Sequence, residues 1–225
     1  MKRLILLMIT CYCLLPGHAN TDIASDSLLQ VLQTLPHDTT RLSTLNDIIK
    51  IEQNNYKCIQ YSDTLMQEAL KLKNDKYASL AAYYHLLYYY NRSEQDSVAK
   101  WIVRMEPYVQ RSGLWDYFFD AQRFQIDLYT FTEQYELAIS EANKMKQKAL
   151  NTNSNRGTVA AYQCLSNAYI GSQRWNEGLK ALEEAYRLLP KKGNAVVHIS
   201  VLSQLVSVTK EMKDNNRQLK YLQEL

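Results

Sequence analysis

Ser97 and Lys100 stand three positions apart in the segment Ser97-Val98-Ala99-Lys100. One turn of helix at that spacing brings a lysine amine to a serine hydroxyl, the arrangement of an acylating serine nucleophile. The Lys-Thr-Gly and Ser-Asp-Asn elements that accompany such a serine are absent from the chain. Metal chemistry has no better foundation. The four histidines, His18, His37, His85 and His198, are scattered along the chain, whereas a zinc site gathers several ligands, typically at spacings such as His-Glu-x-x-His. There is no glycine-rich phosphate loop and no Gly-x-Ser-x-Gly elbow. These residues therefore predict no catalytic group, no metal and no cofactor. Asn91-Arg92-Ser93 has the form of a glycosylation acceptor.

The N-terminus bears on where any chemistry would take place. Lys2 and Arg3 lead into an apolar run from Leu4 to Leu15, followed by Pro16-Gly17-His18-Ala19. This pattern predicts a secretory signal peptide over residues 1–19, cut after Ala19, where the small residues Gly17 and Ala19 suit the peptidase. The run is too short to span a bilayer. Loss of Lys2 and Arg3 takes the formal net charge from +3 to +1. With its charges interspersed, the exported chain lacks the basic stripe that releases counterions from phosphate, so nucleic acid is not an expected partner. Cys58 and Cys164 remain after processing. Each lies in an apolar, helical context and reads as a buried small hydrophobe, since a disulfide needs Cα atoms within about 7 Å.

The elements that hold these residues are helical. Only six glycines and four prolines interrupt the sequence, too few for the closely spaced turns of a β-sandwich. Polar clusters at Asn54-Asn55, Asn91 to Ser93, Asn151 to Asn155 and Lys191 to Gly193 compete with helical hydrogen bonding. They divide the chain into helices expected over 42–52, 56–73, 77–91, 95–111, 114–131, 135–150, 157–171, 175–189 and 194–212, with a last one from about 216. Residues 20–41 form a lead-in segment, with a short helix around Ser27 to Leu32 that ends before Pro36, and residues 42–225 form the main array.

The array repeats. Tyr129, Tyr135 and Ala138 recur forty residues on as Tyr169, Trp175 and Gly178, and Tyr90 and Ala99 precede them at the same nine-residue interval with Asp96 between. An aromatic near the end of one helix, a short turn, and a small residue where the next helix approaches closely describe a helix hairpin. A hairpin of this kind buries its apolar face only by stacking on a neighbour. Within Val159 to Pro190, Tyr162, Leu165, Tyr169, Gly178, Leu182, Ala185 and Pro190 fall where a tetratricopeptide (TPR) unit places its aromatic, large apolar, small and Pro positions, so this segment resembles that family. Ser166 stands where the family has glycine, which predicts slightly wider packing there. The unit from Leu80 keeps Tyr83, Leu86, Tyr90 and Ala99, and the unit from Phe119 keeps Tyr129 and Ala138.

The resemblance implies an all-α fold, a TPR-like helix-hairpin solenoid in which antiparallel helix pairs wind into a right-handed superhelix. It implies about four to five pairs, the last incomplete at Leu225, and hence the front portion of a longer protein or of a truncated gene. It also implies a concave groove lined by first-helix residues. Carried onto this chain, these are Tyr84, Tyr88, Asn91 and Arg92 in one unit, Asp120, Arg123 and Asp127 in the next, and Gln163 and Asn167 in the third. Such a groove would bind a protein or peptide, or another copy of the chain.

Asp26-Ser27-Leu28-Leu29, Asp38-Thr39-Thr40-Arg41-Leu42 and Asn55-Tyr56 are similar to segments in the exported sensor regions of Bacteroidetes signalling receptors. That similarity implies an extracytoplasmic sensor, joined through a further transmembrane helix to a histidine kinase or a DNA-binding output domain. The alternative expectation is a self-contained periplasmic scaffold or adaptor.

Overall fold

The computed structural model describes residues 18–53, 55–189 and 195–225. Nearly all of the expected signal peptide lies outside the described residues, as do Pro190 and the break at Lys191 to Gly193. The described residues form α1 His18–Thr34, α2 Thr39–Glu52, α3 Lys57–Lys71, α4 Asp75–Tyr90, α5 Gln95–Ser112, α6 Trp115–Phe131, α7 Tyr135–Asn151, α8 Asn155–Gly171, α9 Trp175–Arg187, α10 Ala195–Glu211 and α11 Asn215–Glu224, with no strand among them. The all-α class follows directly.

Two differences from the expected boundaries have local causes. The first helix runs the full length of His18–Thr34 rather than starting near Ser27. The second starts at Thr39, because the Asp38 side chain accepts hydrogen bonds from the backbone N–H groups of Thr40 and Arg41 and so caps it. Arg41 then joins three helices. Its Nε donates to both carboxylate oxygens of Glu68 on α3, at 2.9 and 3.0 Å, and its Nη1 donates to the carbonyl of Leu32 on α1. The Asp38-Thr39-Thr40-Arg41 segment is thus a structural clasp between the lead-in helix and the array.

The turns between helices share one construction. Lys73, Ser93, Gly113, Glu133, Asn153 and Gln173 follow one another at twenty-residue steps with positive φ, and Lys213 continues the series forty residues later. At each of them except Gly113 the backbone makes a Schellman closure. For example, Gln173 N–H donates to the Ile170 carbonyl and Arg174 N–H donates to the Tyr169 carbonyl, at 2.9 and 2.8 Å. The residue after the left-handed one already caps the next helix: the side chains of Asn74, Ser154 and Asp214 each accept a backbone N–H bond at a helix start. A single left-handed residue thus reverses the chain, which makes successive helices antiparallel neighbours.

Helices adjacent in sequence pack together along the chain, and α2, α4, α6 and α8 also touch one another side by side. A large apolar cluster extends from Leu32 to Ala181, and a second one joins Val159, Leu179, Leu182 and Ala185 to Val201, Leu202, Leu205, Val208 and Tyr221. Gly178 shows why the hairpins need small residues. A Cβ placed there would lie 2.7 Å from Ile170 Cγ1 and 3.3 Å from the Ser166 carbonyl oxygen. Ser166, where the family has glycine, is itself fully buried opposite Gly178. Cys58 and Cys164 are free and buried, and burial pushes both thiols up from their ordinary range.

Candidate ligand-binding face

Three of the nominated residues lie along one helix. Asp120, Arg123 and Asp127 on α6 are spaced by three and four residues, which places them on one stripe. Asp120 accepts a hydrogen bond from Nη2 of Arg156 at 2.8 Å and lies 3.9 Å from Arg123 Nη2. Arg156, on α8, also reaches Asp116 at 3.4 Å. The guanidinium of Arg123 sits 5.2 Å from the centre of the Phe124 ring. Phe124 stacks on Tyr90 of α4 with centroids 4.4 Å apart, and Tyr83 of α4 meets Tyr117 of α6 edge-on at 5.0 Å. An aromatic seam between α4 and α6 thus carries an ionic ladder that extends to α8.

The electrostatics of this stripe are uneven. Burial raises the Asp120 carboxyl while Arg156 and then Arg123 draw it back. Burial also raises Asp127, to about 6, opposed by Arg123 alone. Asp127 is half-buried, and no hydrogen bond or ion pair to it is found among the described residues. Burial moves Tyr83 to about 12, with Asp120 adding to the shift and Arg123 opposing it. Three carboxylates, Asp116, Asp120 and Asp127, face two guanidiniums, so the stripe keeps one uncompensated acidic group at its Asp127 end.

On α8, Gln163 Nε2 donates to Gln204 Oε1 and Ser200 Oγ of α10 at 3.0 and 3.3 Å. Asn167 is exposed. These two residues continue the rows of Arg123 and Asp127, forty positions on.

Of the α4 candidates, Tyr84 is the one that the structure takes out of any groove. Tyr84 is only 4% exposed, and its hydroxyl donates to Asn46 Oδ1 on α2 at 2.9 Å, so it holds α4 against α2. The repeat explains why. Forty residues on, Tyr84 corresponds to Phe124 and Tyr88 to the buried Leu128, whereas Arg123 corresponds to Tyr83 and Asp127 to Leu87. The row of α4 that aligns with Arg123 and Asp127 thus runs one residue earlier than expected, through the half-buried Tyr83 and Leu87. Tyr88 is half-buried beneath the guanidinium of Arg92, 3.4 Å from its ring centre. Arg92 and Asn91 are exposed, and the charge of Arg92 is felt at Cys58 on α3. No hydrogen bond, ion pair or ring contact joins Tyr88, Asn91 or Arg92 to the α6 ladder, so they form a separate surface.

Elsewhere, an open hollow of about 630 Å³ lies against α7, lined by Ser140, Asn143, Lys144, Gln147, Lys148 and Asn151. A single helix bounds it, so it cannot enclose a ligand. Among the described residues no group of three or more His, Cys, Asp or Glu side chains could hold a metal ion. No described helix is long and apolar enough to cross a membrane. In comparisons with known proteins, no family model matches the chain and no curated protein matches it.

Proposed function

We propose that the chain is an extracytoplasmic, TPR-like helix-hairpin array that binds a protein or peptide along its even-numbered helices, as the sensor portion of a membrane signalling receptor. Support for a curved array comes from the packing. Side-by-side contact is substantial among α2, α4, α6 and α8, and no comparable contact links α3, α5, α7 and α9. A stack held closer along one row bends toward that row, which puts the even-numbered helices on the concave side.

The observation that carries the binding reading is the stripe Asp120, Arg123, Asp127. Packing alone gives a helix no reason to place a half-buried carboxylate without a partner beside an aromatic seam, because desolvating it costs stability. Aromatic surface, guanidinium and carboxylate together make a surface suited to recognition rather than turnover.

The test is a selection from a random peptide library on residues 20–225, followed by titration of the selected peptide against the wild type and Arg123→Ala. The proposal expects at least about a tenfold loss of affinity in the variant with unchanged helical circular dichroism. Selection of no peptide, or binding indifferent to Arg123, would refute it. The signalling part has its own test in the reading frame beyond codon 225. An apolar span of about twenty residues followed by an output domain supports a sensor, and a stop codon after one polar helix supports a free scaffold.

A further inference from the structure

The charges of the α6 stripe fail to balance at one place. Arg156 is claimed by Asp116 and Asp120, at 3.4 and 2.8 Å, and Arg123 stands 3.9 Å from Asp120. Asp127 is left without a hydrogen bond or ion pair among the described residues, with Arg123 alone opposing its burial. The repeat shows that neither neighbouring helix supplies the missing cation. Forty residues to either side stand Leu87 on α4 and Asn167 on α8, both uncharged.

The surroundings of this carboxylate are aromatic. Burial raises the Tyr90 phenol on α4 and Asp127 raises it further, and the charge of Asp127 is also felt at the buried Cys164 on α8. The Tyr90 ring stacks on Phe124 with centroids 4.4 Å apart, and its hydroxyl makes no hydrogen bond among the described residues. Phe124 already accepts one guanidinium, that of Arg123, 5.2 Å from its ring centre. An aromatic wall, a phenol oxygen and an unpaired carboxylate suit an organic cation, which gains both from ring faces and from charge-assisted hydrogen bonds. An anion would meet guanidiniums already engaged by Asp116 and Asp120. A metal ion would lack ligands, since no group of three or more His, Cys, Asp or Glu side chains could hold one among the described residues.

We infer that the Asp127 end of the stripe is a subsite for a lysine or arginine side chain of a bound peptide, with Asp127 as counter-charge, the Tyr90 hydroxyl as a further acceptor and the Tyr90–Phe124 pair as its wall. This rests on the peptide-binding reading above and names its partner as a basic peptide. A cation seated there matches the third carboxylate of the stripe and offsets the cost of desolvating it.

The experiment selects peptides from a random display library on the purified chain. Each selected peptide is titrated beside copies in which one lysine is acetylated or one arginine is replaced by citrulline, against the wild type and Asp127→Asn. The peptides are expected to share a basic residue whose neutralisation costs about tenfold or more in affinity on the wild type and about twofold or less on Asp127→Asn. Asp127→Leu, which matches Leu87 at the same position of α4, gives a second comparison, and helical circular dichroism should be unchanged in both variants. Peptides that bind through Arg123 but carry no basic residue overturn the inference and leave the binding reading in place. So does a neutralisation that costs the same on the wild type and on both variants. Selection of no peptide overturns both.

Discussion

Asp120 on α6 accepts a hydrogen bond from Arg156 on α8 at 2.8 Å, whereas Asp127, two turns along the same helix, has no such partner. Two carboxylates on one stripe are thereby placed in opposite circumstances. One is tied into the contact between helices, and the other is left half-buried without a hydrogen-bonding partner among the described residues.

That difference predicts a pH-dependent stability. The carboxyl of Asp127 rises from 3.8 to about 6 because burial outweighs Arg123. A group whose native pKa is raised contributes stability that is complete below its unfolded value and is lost as pH rises through the native one. Asp127→Asn should therefore stabilise the protein by about 1 to 3 kcal/mol at pH 7 and by almost nothing near pH 4. Urea denaturation at the two pH values checks it.

His85 should have the opposite sign. It stacks on Trp101 with ring centroids 4.0 Å apart and planes 4° from parallel. Its Nε2 lies 3.1 Å from Asp63 Oδ1 but is poorly aligned for a hydrogen bond. Burial lowers it from 6.5 to about 4, Asp63 opposing and Arg104 adding to the shift. A depressed native pKa gives stability that is present above the unfolded value and is lost as pH falls through the native one. His85→Phe keeps a ring against Trp101 and should flatten the loss of stability between about pH 6.5 and pH 4. Thermal unfolding across that window checks it, and an unaltered acid limb would contradict the assignment.

Gly157 should tolerate no side chain. A Cβ there would lie 2.5 Å from Cδ2 of Phe119, a ring that is itself buried and stacked against Trp115. Alanine ordinarily gains about 1 kcal/mol over glycine within a helix. Gly157→Ala is nevertheless expected to lose about 1 to 3 kcal/mol through overpacking. Chemical denaturation of the single variant decides the sign.

The turns should respond in the other direction. Gln173 holds φ at +66°, a conformation that costs a non-glycine residue about 1 kcal/mol or more. Gln173→Gly should stabilise by up to about 1 kcal/mol, and Gly113→Ala, at φ +75°, should destabilise by a similar amount. Urea midpoints of both variants check the pair.

The helices and the forty-residue repeat could be read in the sequence because they rest on residue types with one clear role: Tyr169 and Trp175 as aromatics, Gly178 as a close contact, and Asn-rich breaks. The twenty-residue turn period could not, because Lys73, Glu133 and Gln173 occupy left-handed positions where glycine or asparagine would have marked them. The α4 row was displaced by one residue because Tyr83 and Tyr84 are chemically alike, and only the Tyr84–Asn46 bond tells them apart. The pair of Arg156 and Asp120 is not legible in the sequence, because the two residues lie 36 positions apart on different helices and no motif links them.

The central claim is that the even-numbered helices form the binding surface. It is tested most directly by amide chemical-shift mapping of residues 20–225 with a library-selected peptide. The account predicts perturbations concentrated at Tyr83, Asp120, Arg123, Asp127, Gln163 and Asn167, with α5, α7 and α9 silent. Perturbations confined to those odd-numbered helices, or a library that yields no binding peptide, would contradict it.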